Sequence, residues 1–208
     1  DSYLRPYQEA GVKWMYRLSE FEMGGILADD MGLGKTLQTL TFIAKKRGPA
    51  LVVCPSSLVS NWEAECKKWV SELKIALHVG GRRGEIPEAD IVITSYAIFR
   101  IDSEKFQGRE FDIAILDEAQ IIKNPEAQVS KAAYRLNAKY RFALTGTPVE
   151  NSLQDFWSIM EFALPGYLGP RKPFLERFEK PLRKGGDPAL ARRLGRKLKP
   201  VVLRRLKK

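Results

Sequence analysis

Short, continuous apolar runs alternate along this chain with stretches in which apolar residues return every three or four positions. The runs fall at residues 25–28, 50–54, 75–79, 91–94, 113–116 and 142–145. Leu51-Val52-Val53 and Ile91-Val92-Ile93 lack the polar alternation of a half-solvated strand, so they predict strands covered on both faces. Helical spacing predicts helices over 35–46, 58–70, 126–136 and 153–163. An opening helix is predicted over 4–15, with Pro6 in its first turn and Tyr7, Val12, Trp14 and Met15 as packing residues. Alternating strands and helices predict an α/β fold, a mostly parallel sheet with helices on both faces. Ligands of such sheets bind beyond the carboxyl ends of the strands.

The character changes after Leu164-Pro165-Gly166-Tyr167-Leu168-Gly169-Pro170. Two further helices are predicted, over 171–180 and 188–198, split by Gly185-Gly186. Residues 1–170 are read as one α/β lobe, and 171–208 as a basic helical appendage. With 208 residues, 44% of them apolar, the chain is long enough for one such lobe with a buried core and a small addition.

The net charge of +10 is unevenly placed. Residues 171–208 carry 15 Lys/Arg against 3 Asp/Glu, whereas residues 1–170 carry 20 against 22. A near-neutral body with a tail of +12 points to a polyanionic partner. No apolar run approaches the roughly 20 residues that span a bilayer, which excludes a membrane-spanning helix as the expectation. The chain has neither a signal-like opening nor an initiator Met, and reads as an excised piece. Cys54 and Cys66 lack a paired-cysteine motif and are expected to be reduced thiols of an intracellular protein. The single histidine, His78, is expected to be an exposed strand-end residue.

Three motifs carry chemistry. The run at 25–28 enters Asp29-Asp30-Met31-Gly32-Leu33-Gly34-Lys35-Thr36, followed by a predicted helix. This is a phosphate-binding loop. Its glycines let backbone N–H groups close on phosphate oxygens, Lys35 supplies a point charge, Thr36 offers a hydroxyl to Mg²⁺, and the helix N-terminus adds its dipole. Asp29 stands where the strict pattern has its first glycine. Second, the strand Ile113-Ala114-Ile115-Leu116 delivers Asp117 and Glu118 at its tip. A carboxylate there suits Mg²⁺, and its neighbour suits orientation and deprotonation of an attacking water. We assign these roles to Asp117 and Glu118 respectively. Third, Thr145-Gly146-Thr147-Pro148 ends the next strand and offers hydroxyls that can sense the terminal phosphate.

Taken with Leu4-Arg5-Pro6-Tyr7-Gln8, Cys54-Pro55-Ser56-Ser57-Leu58, Asn61-Trp62, Ile93-Thr94-Ser95-Tyr96, Ala119-Gln120, Lys123-Asn124 and Glu150-Asn151-Ser152-Leu153, these motifs carry a family likeness. In order and spacing, residues 3–170 resemble the first lobe of superfamily-two helicase-like ATPases of the SWI/SNF type. These are duplex-DNA translocases that include chromatin remodellers and recombination-repair motors. The closing Val202-Leu203-Arg204-Arg205-Leu206-Lys207-Lys208 resembles the segment leading to the family's second lobe.

The resemblance implies a RecA-like fold, ATP and Mg²⁺ as cofactors, and duplex DNA, DNA-bound proteins and a second lobe as partners. Gln8 would read adenine, with Arg5 nearby. Asp30, Met31, Gly32, Leu33, Gly34, Lys35 and Thr36 would line the phosphates, and Thr36 and Asp117 the metal. Ser56, Ser57, Thr94 and Ser95 would touch the DNA backbone, contacts that position without reading sequence. Gln120, Thr145, Gly146 and Thr147 would couple nucleotide state to DNA grip. Gln120 stands where the family commonly has His, which keeps a hydrogen-bonding side chain but one that cannot titrate.

The second lobe and its arginine are not in these residues, so weak ATP turnover is expected of this stretch alone. The alternatives are an RNA-helicase lobe of the same superfamily and a nucleotide-gated nucleic-acid-binding module. The implied compartment is the nucleus in a eukaryote, or the cytoplasm and nucleoid in a prokaryote.

Overall fold

The computed structural model describes residues 3–81, 83–146, 152–183 and 187–207. The elements in chain order are α1 (Pro6–Glu20), β1 (Gly25–Leu27), α2 (Lys35–Lys46), β2 (Ala50–Cys54), α3 (Val59–Trp69), β3 (Ile75–His78) and β4 (Ile91–Ser95). Then follow α4 (Tyr96–Ile101), α5 (Ser103–Gln107), β5 (Phe111–Leu116), α6 (Gln128–Tyr134), β6 (Ala138–Leu144) and α7 (Leu153–Ala163). The basic region forms α8 (Arg171–Phe174), a π-helical turn (Leu175–Glu179), α9 (Lys180–Arg183), α10 (Pro188–Leu198) and β7 (Val202–Leu203). Pro181, with no N–H to give, stands just after the widened turn.

Among the described residues the strands form one seven-stranded sheet in the order β3-β4-β2-β5-β6-β1-β7, every pair parallel. Register is set by pairs such as Ala50↔Ile91, Ala50↔Ile113 and Gly25↔Phe142. All five residues of β2 and of β4 are buried, as the unbroken apolar runs require. Because every pair is parallel, all carboxyl ends lie along one edge of the sheet, and the loops carrying the motifs emerge there.

Several elements depart from the sequence expectation. Helices α4 and α5 were not predicted, being too short to show a period; Ser95 starts α4 by accepting the Ile98 N–H at 3.3 Å. Strands β5 and β6 begin earlier than their apolar runs, at Phe111 and Ala138, since polar Asp112, Lys139 and Arg141 occupy their amino-terminal ends. The basic region does not stay helical to its end: Val202 pairs with Ile26 and Leu203 with Leu27, adding an edge strand, and Val201 is fully buried. His78, expected to be exposed, is buried. Its imidazole lies 2.8 Å from the Asp102 carboxylate, which Arg83 also binds at 2.7 Å, so α4 and the loop after β3 close over it.

Val12 and Met15 are buried, while Trp14 donates its indole N–H to the Pro200 carbonyl at 2.8 Å and the Tyr7 ring lies under Arg205. Both cysteines are free and buried. Burial pushes each thiol up to about 12, so both are unreactive packing groups at neutral pH. No helix among the described residues is long and apolar enough to cross a membrane.

Candidate nucleotide and nucleic-acid site

The loop between β1 and α2 is shaped by two left-handed glycines, Gly32 at φ +82° and Gly34 at φ +76°. A side chain at Gly34 would also collide with the Gln8 amide nitrogen. Helix α2 starts at Lys35, so the free N–H groups of its first turn, with Thr36 among them, face the loop. Lys35 Nζ lies across the loop and donates to the Asp29 carbonyl at 2.6 Å. Gln8 is buried and bridges two elements: it accepts the Arg5 N–H at 2.9 Å and donates to the Leu33 carbonyl at 3.3 Å. One end of its amide thus caps α1 and the other braces that helix against the loop, with Arg5 exposed at the N-cap. Asp30 accepts the Lys207 N–H at 2.9 Å, and Met31 is 77% exposed at the loop's crest.

At the tip of β5, Asp117 is 7% exposed. Its carboxylate accepts the Trp62 indole N–H at 2.8 Å and the Glu118 backbone N–H at 2.9 Å, while its carbonyl accepts the Tyr96 hydroxyl at 2.7 Å. Burial pushes the Asp117 carboxyl above the ordinary range; the Trp62 bond and nearby Lys35 pull the other way, and the Glu118 charge adds to the rise. Glu118 has φ +51° and ψ +51°, a conformation costing a non-glycine residue about 1–2 kcal/mol. Such strain gathers at functional sites, and here it turns the Glu118 side chain toward Gln120.

A relay of polar contacts joins this tip to the phosphate loop. Gln120 donates to Glu118 at 2.6 Å, and the Thr145 hydroxyl donates to Gln120 at 3.0 Å. The Thr145 N–H reaches the Leu27 carbonyl at 3.1 Å, immediately before the loop. Strand β6, which delivers Thr145, lies between β5 and β1. Gly146 faces Met31, 3.5 Å from the Met31 side chain for an added Cβ. Thr147 lies outside the described residues.

Farther along the same edge, Ser56, Ser60, Ser95, Leu77, Val79 and Ile98 line a groove of about 420 Å³. Ser57 is exposed on the adjoining turn. Thr94 is different: it is fully buried and donates its hydroxyl to the His78 carbonyl at 2.7 Å, so it braces the sheet and is not presented in the groove. Sequence reasoning assigned no role to Trp62 or Tyr96, which hold Asp117, or to Arg205. A fully buried tryptophan on a polar helix signals that its N–H needs an acceptor, but not which one.

The donor set fits a nucleotide with Mg²⁺. A Cβ-free cradle, a lysine, a first-turn threonine and a buried carboxylate without a bonded cation converge on one sheet edge. With the parallel sheet and the strand set between loop and carboxylates, they define a RecA-like nucleotide-binding lobe.

Residues 7–208 match the model of the SNF2-related domain, and the chain belongs to that family. It is 42% identical to the Sulfolobus solfataricus SWI2/SNF2 ATPase core solved in complex with dsDNA, with a TM-score of 0.91 over 99% of this chain and 45% of that one. It corresponds to the first lobe of that core. Among curated relatives, the TATA-binding protein-associated factor MOT1 of Saccharomyces cerevisiae is 40% identical over 86% of this chain and 11% of its own. The putative ATP-dependent helicase/translocase YwqA of Bacillus subtilis is 37% identical over 99% of this chain and 24% of its own. The chain therefore spans less than a quarter of these two relatives.

Proposed function

We propose that this chain is the ATP-binding lobe of a DNA-dependent ATPase that moves along duplex DNA, acting with a second RecA-like lobe. The observation that carries the proposal is the relay Leu27–Thr145–Gln120–Glu118, which links the phosphate loop to a strained acidic tip through an intervening strand. Gly32, Gly34 and Lys35 would hold the phosphates, and Thr36 and Asp117 would hold Mg²⁺. Bound Mg²⁺ neutralises charge on the phosphate oxygens. Glu118 orients the attacking water and accepts its proton. Gln120, Thr145 and Gly146 couple that geometry to the loop, and Thr147 continues the same motif. Arg5 and Gln8 border the base.

Ser56, Ser57 and Ser95 contact the DNA backbone at the groove, and the exposed Arg192, Arg193 and Arg196 of α10 add electrostatic attraction. The chain divides near residue 170 into the lobe and a helical appendage whose end returns to the sheet. The likeness to a core solved with dsDNA favours duplex DNA over RNA. The protein acts on DNA–protein complexes within the compartment that holds the DNA.

Fluorescence anisotropy with duplex DNA across a salt series tests this. Binding is expected to be indifferent to sequence, with log K falling by about 0.9 per neutralised phosphate per decade of salt. Preference for single-stranded RNA, or no duplex binding at low salt, would overturn the DNA assignment.

A further inference from the structure

The phosphate loop departs from its usual pattern at Asp29, and nothing in phosphate binding explains an acid there. Asp29 is fully buried. Arg205, 176 residues later, donates its Nε–H to one Asp29 oxygen at 2.9 Å and its terminal NH₂ to the other. The same guanidinium donates to the Tyr7 carbonyl and to Gln38 Oε1, the latter at 2.7 Å, and its centre lies 5.4 Å from the Tyr7 ring centroid. Gln38 in turn donates to the Leu33 and Gly34 carbonyls, each at 3.3 Å. One side chain therefore ties together α1, the start of the loop and α2.

The backbone around Arg205 is fastened as well. The Ala28 N–H reaches the Leu203 carbonyl at 2.7 Å, and the Asp30 N–H reaches the Arg205 carbonyl at 3.0 Å. Lys207 Nζ ends 2.9 Å from where a Cβ on Gly32 would stand, over the mouth of the loop. The strand β7 and the residues after it thus lie along the phosphate loop on the side away from β6.

We propose that Arg205 is a positioning residue of the nucleotide site: through Asp29 it clamps the terminal strand onto the phosphate loop, so that the loop's shape depends on where that strand lies. The proposal rests on the reading of residues 32–36 as the ATP loop. Displacing that strand would pull on Asp29, and ordering the loop on ATP would hold the strand. A guanidinium suits the position because it satisfies a carboxylate with two parallel bonds and still has N–H groups for Tyr7 and Gln38.

The test compares three variants of the chain with the parent: Arg205→Met, the neutralised double variant Asp29→Asn/Arg205→Met, and Arg141→Met as control. Arg141 is a half-buried arginine bound to the Tyr134 and Leu136 carbonyls, away from the loop. Thermal melting, titration with ATP and Mg²⁺, and amide hydrogen exchange of residues 28–34 without nucleotide are measured for each.

Arg205→Met leaves a buried carboxylate unpaired and is expected to lower stability, speed loop exchange and weaken ATP binding about 10-fold. The double variant removes the orphaned charge, so stability should largely return, while loop exchange stays fast and ATP binding stays weak. Should Arg205→Met not fold, the double variant alone decides. The control should keep parental affinity and parental loop exchange. Parental exchange and affinity in the double variant would reduce the pair to packing and overturn the clamp. A parent that does not bind ATP would instead overturn the nucleotide reading, and the exchange rates would still judge the clamp.

Discussion

Two strand tips on the same sheet edge each bury an aspartate, and they treat it in opposite ways. Asp29, after β1, is fully buried and receives two bonds from the Arg205 guanidinium. Asp117, after β5, is nearly as buried, and its carboxylate receives from the described residues an indole N–H and a backbone N–H, both neutral donors. A buried carboxylate bonded by a guanidinium has its charge answered inside the chain. Burial pushes the Asp117 carboxyl up, against the pull of the Trp62 bond and of nearby Lys35, and with no guanidinium bonded to it among the described residues a divalent cation would be welcome beside it. In the readings proposed above, the first aspartate shapes the loop and the second is left for a ligand.

The largest test of that division lies next to Asp117. In a two-lobe protein containing this chain, Glu118→Gln is expected to slow single-turnover hydrolysis by about 10²–10⁴ while leaving ATP binding near parental. Lys35→Ala should do the reverse at the binding step, weakening ATP affinity about 10–100-fold through a lost charge-assisted bond. Near-parental hydrolysis by Glu118→Gln would remove the base from the site.

A smaller effect should follow from Trp62→Phe, which keeps a ring in the core but deletes the donor to Asp117. Mg²⁺-dependent ATP affinity is expected to fall about 10-fold, as for other partners that orient metal ligands. Affinity measured without Mg²⁺ should hardly move. An equal loss in both conditions would mean that Trp62 supports the lobe generally and not Asp117 in particular.

The smallest effect concerns a third carboxylate, Asp102, at the far side of the sheet. Its bond from Arg83, with a second from His78, holds its carboxyl at about 2, below the ordinary 3.8. With the folded value depressed, its stabilisation is present above 3.8 and is lost as pH falls through about 2. Asp102→Asn should therefore lower the melting temperature at neutral pH, and the gap from the parent should narrow as the pH drops through that window. A gap independent of pH would mean that the variant acts by packing alone.

Where the candidate site's residues fall in the fold was largely legible in the chain because the signals are local. The apolar run, the two glycines and Lys35-Thr36 lie within a dozen residues, and the helix start was expected at Lys35, where α2 begins. Asp117 and Glu118 were legible because a buried strand must end at polar residues. Thr94 and Ser95 read alike, as neighbouring hydroxyls at a strand end. Yet one is tied to the His78 carbonyl inside the sheet and the other lines a groove. His78 read as a polar strand end because Asp102 and Arg83, which make its burial tolerable, arrive from elsewhere in the chain.

The sequence by itself determined the longer helices, the apolar strand runs, the burial of β2 and β4 on both faces, and the placing of the two glycines that let the phosphate loop turn. Each depends on apolar spacing or on backbone freedom within a few neighbouring residues. Only the tertiary structure decided which donor reaches each acid: Arg205 for the buried Asp29, Trp62 for the buried Asp117, and Arg83 with His78 for the half-buried Asp102. These partners are 176, 55, 19 and 24 residues away. Burial makes a donor obligatory, but chain topology alone brings one particular donor within reach, and local periodicity carries no record of it.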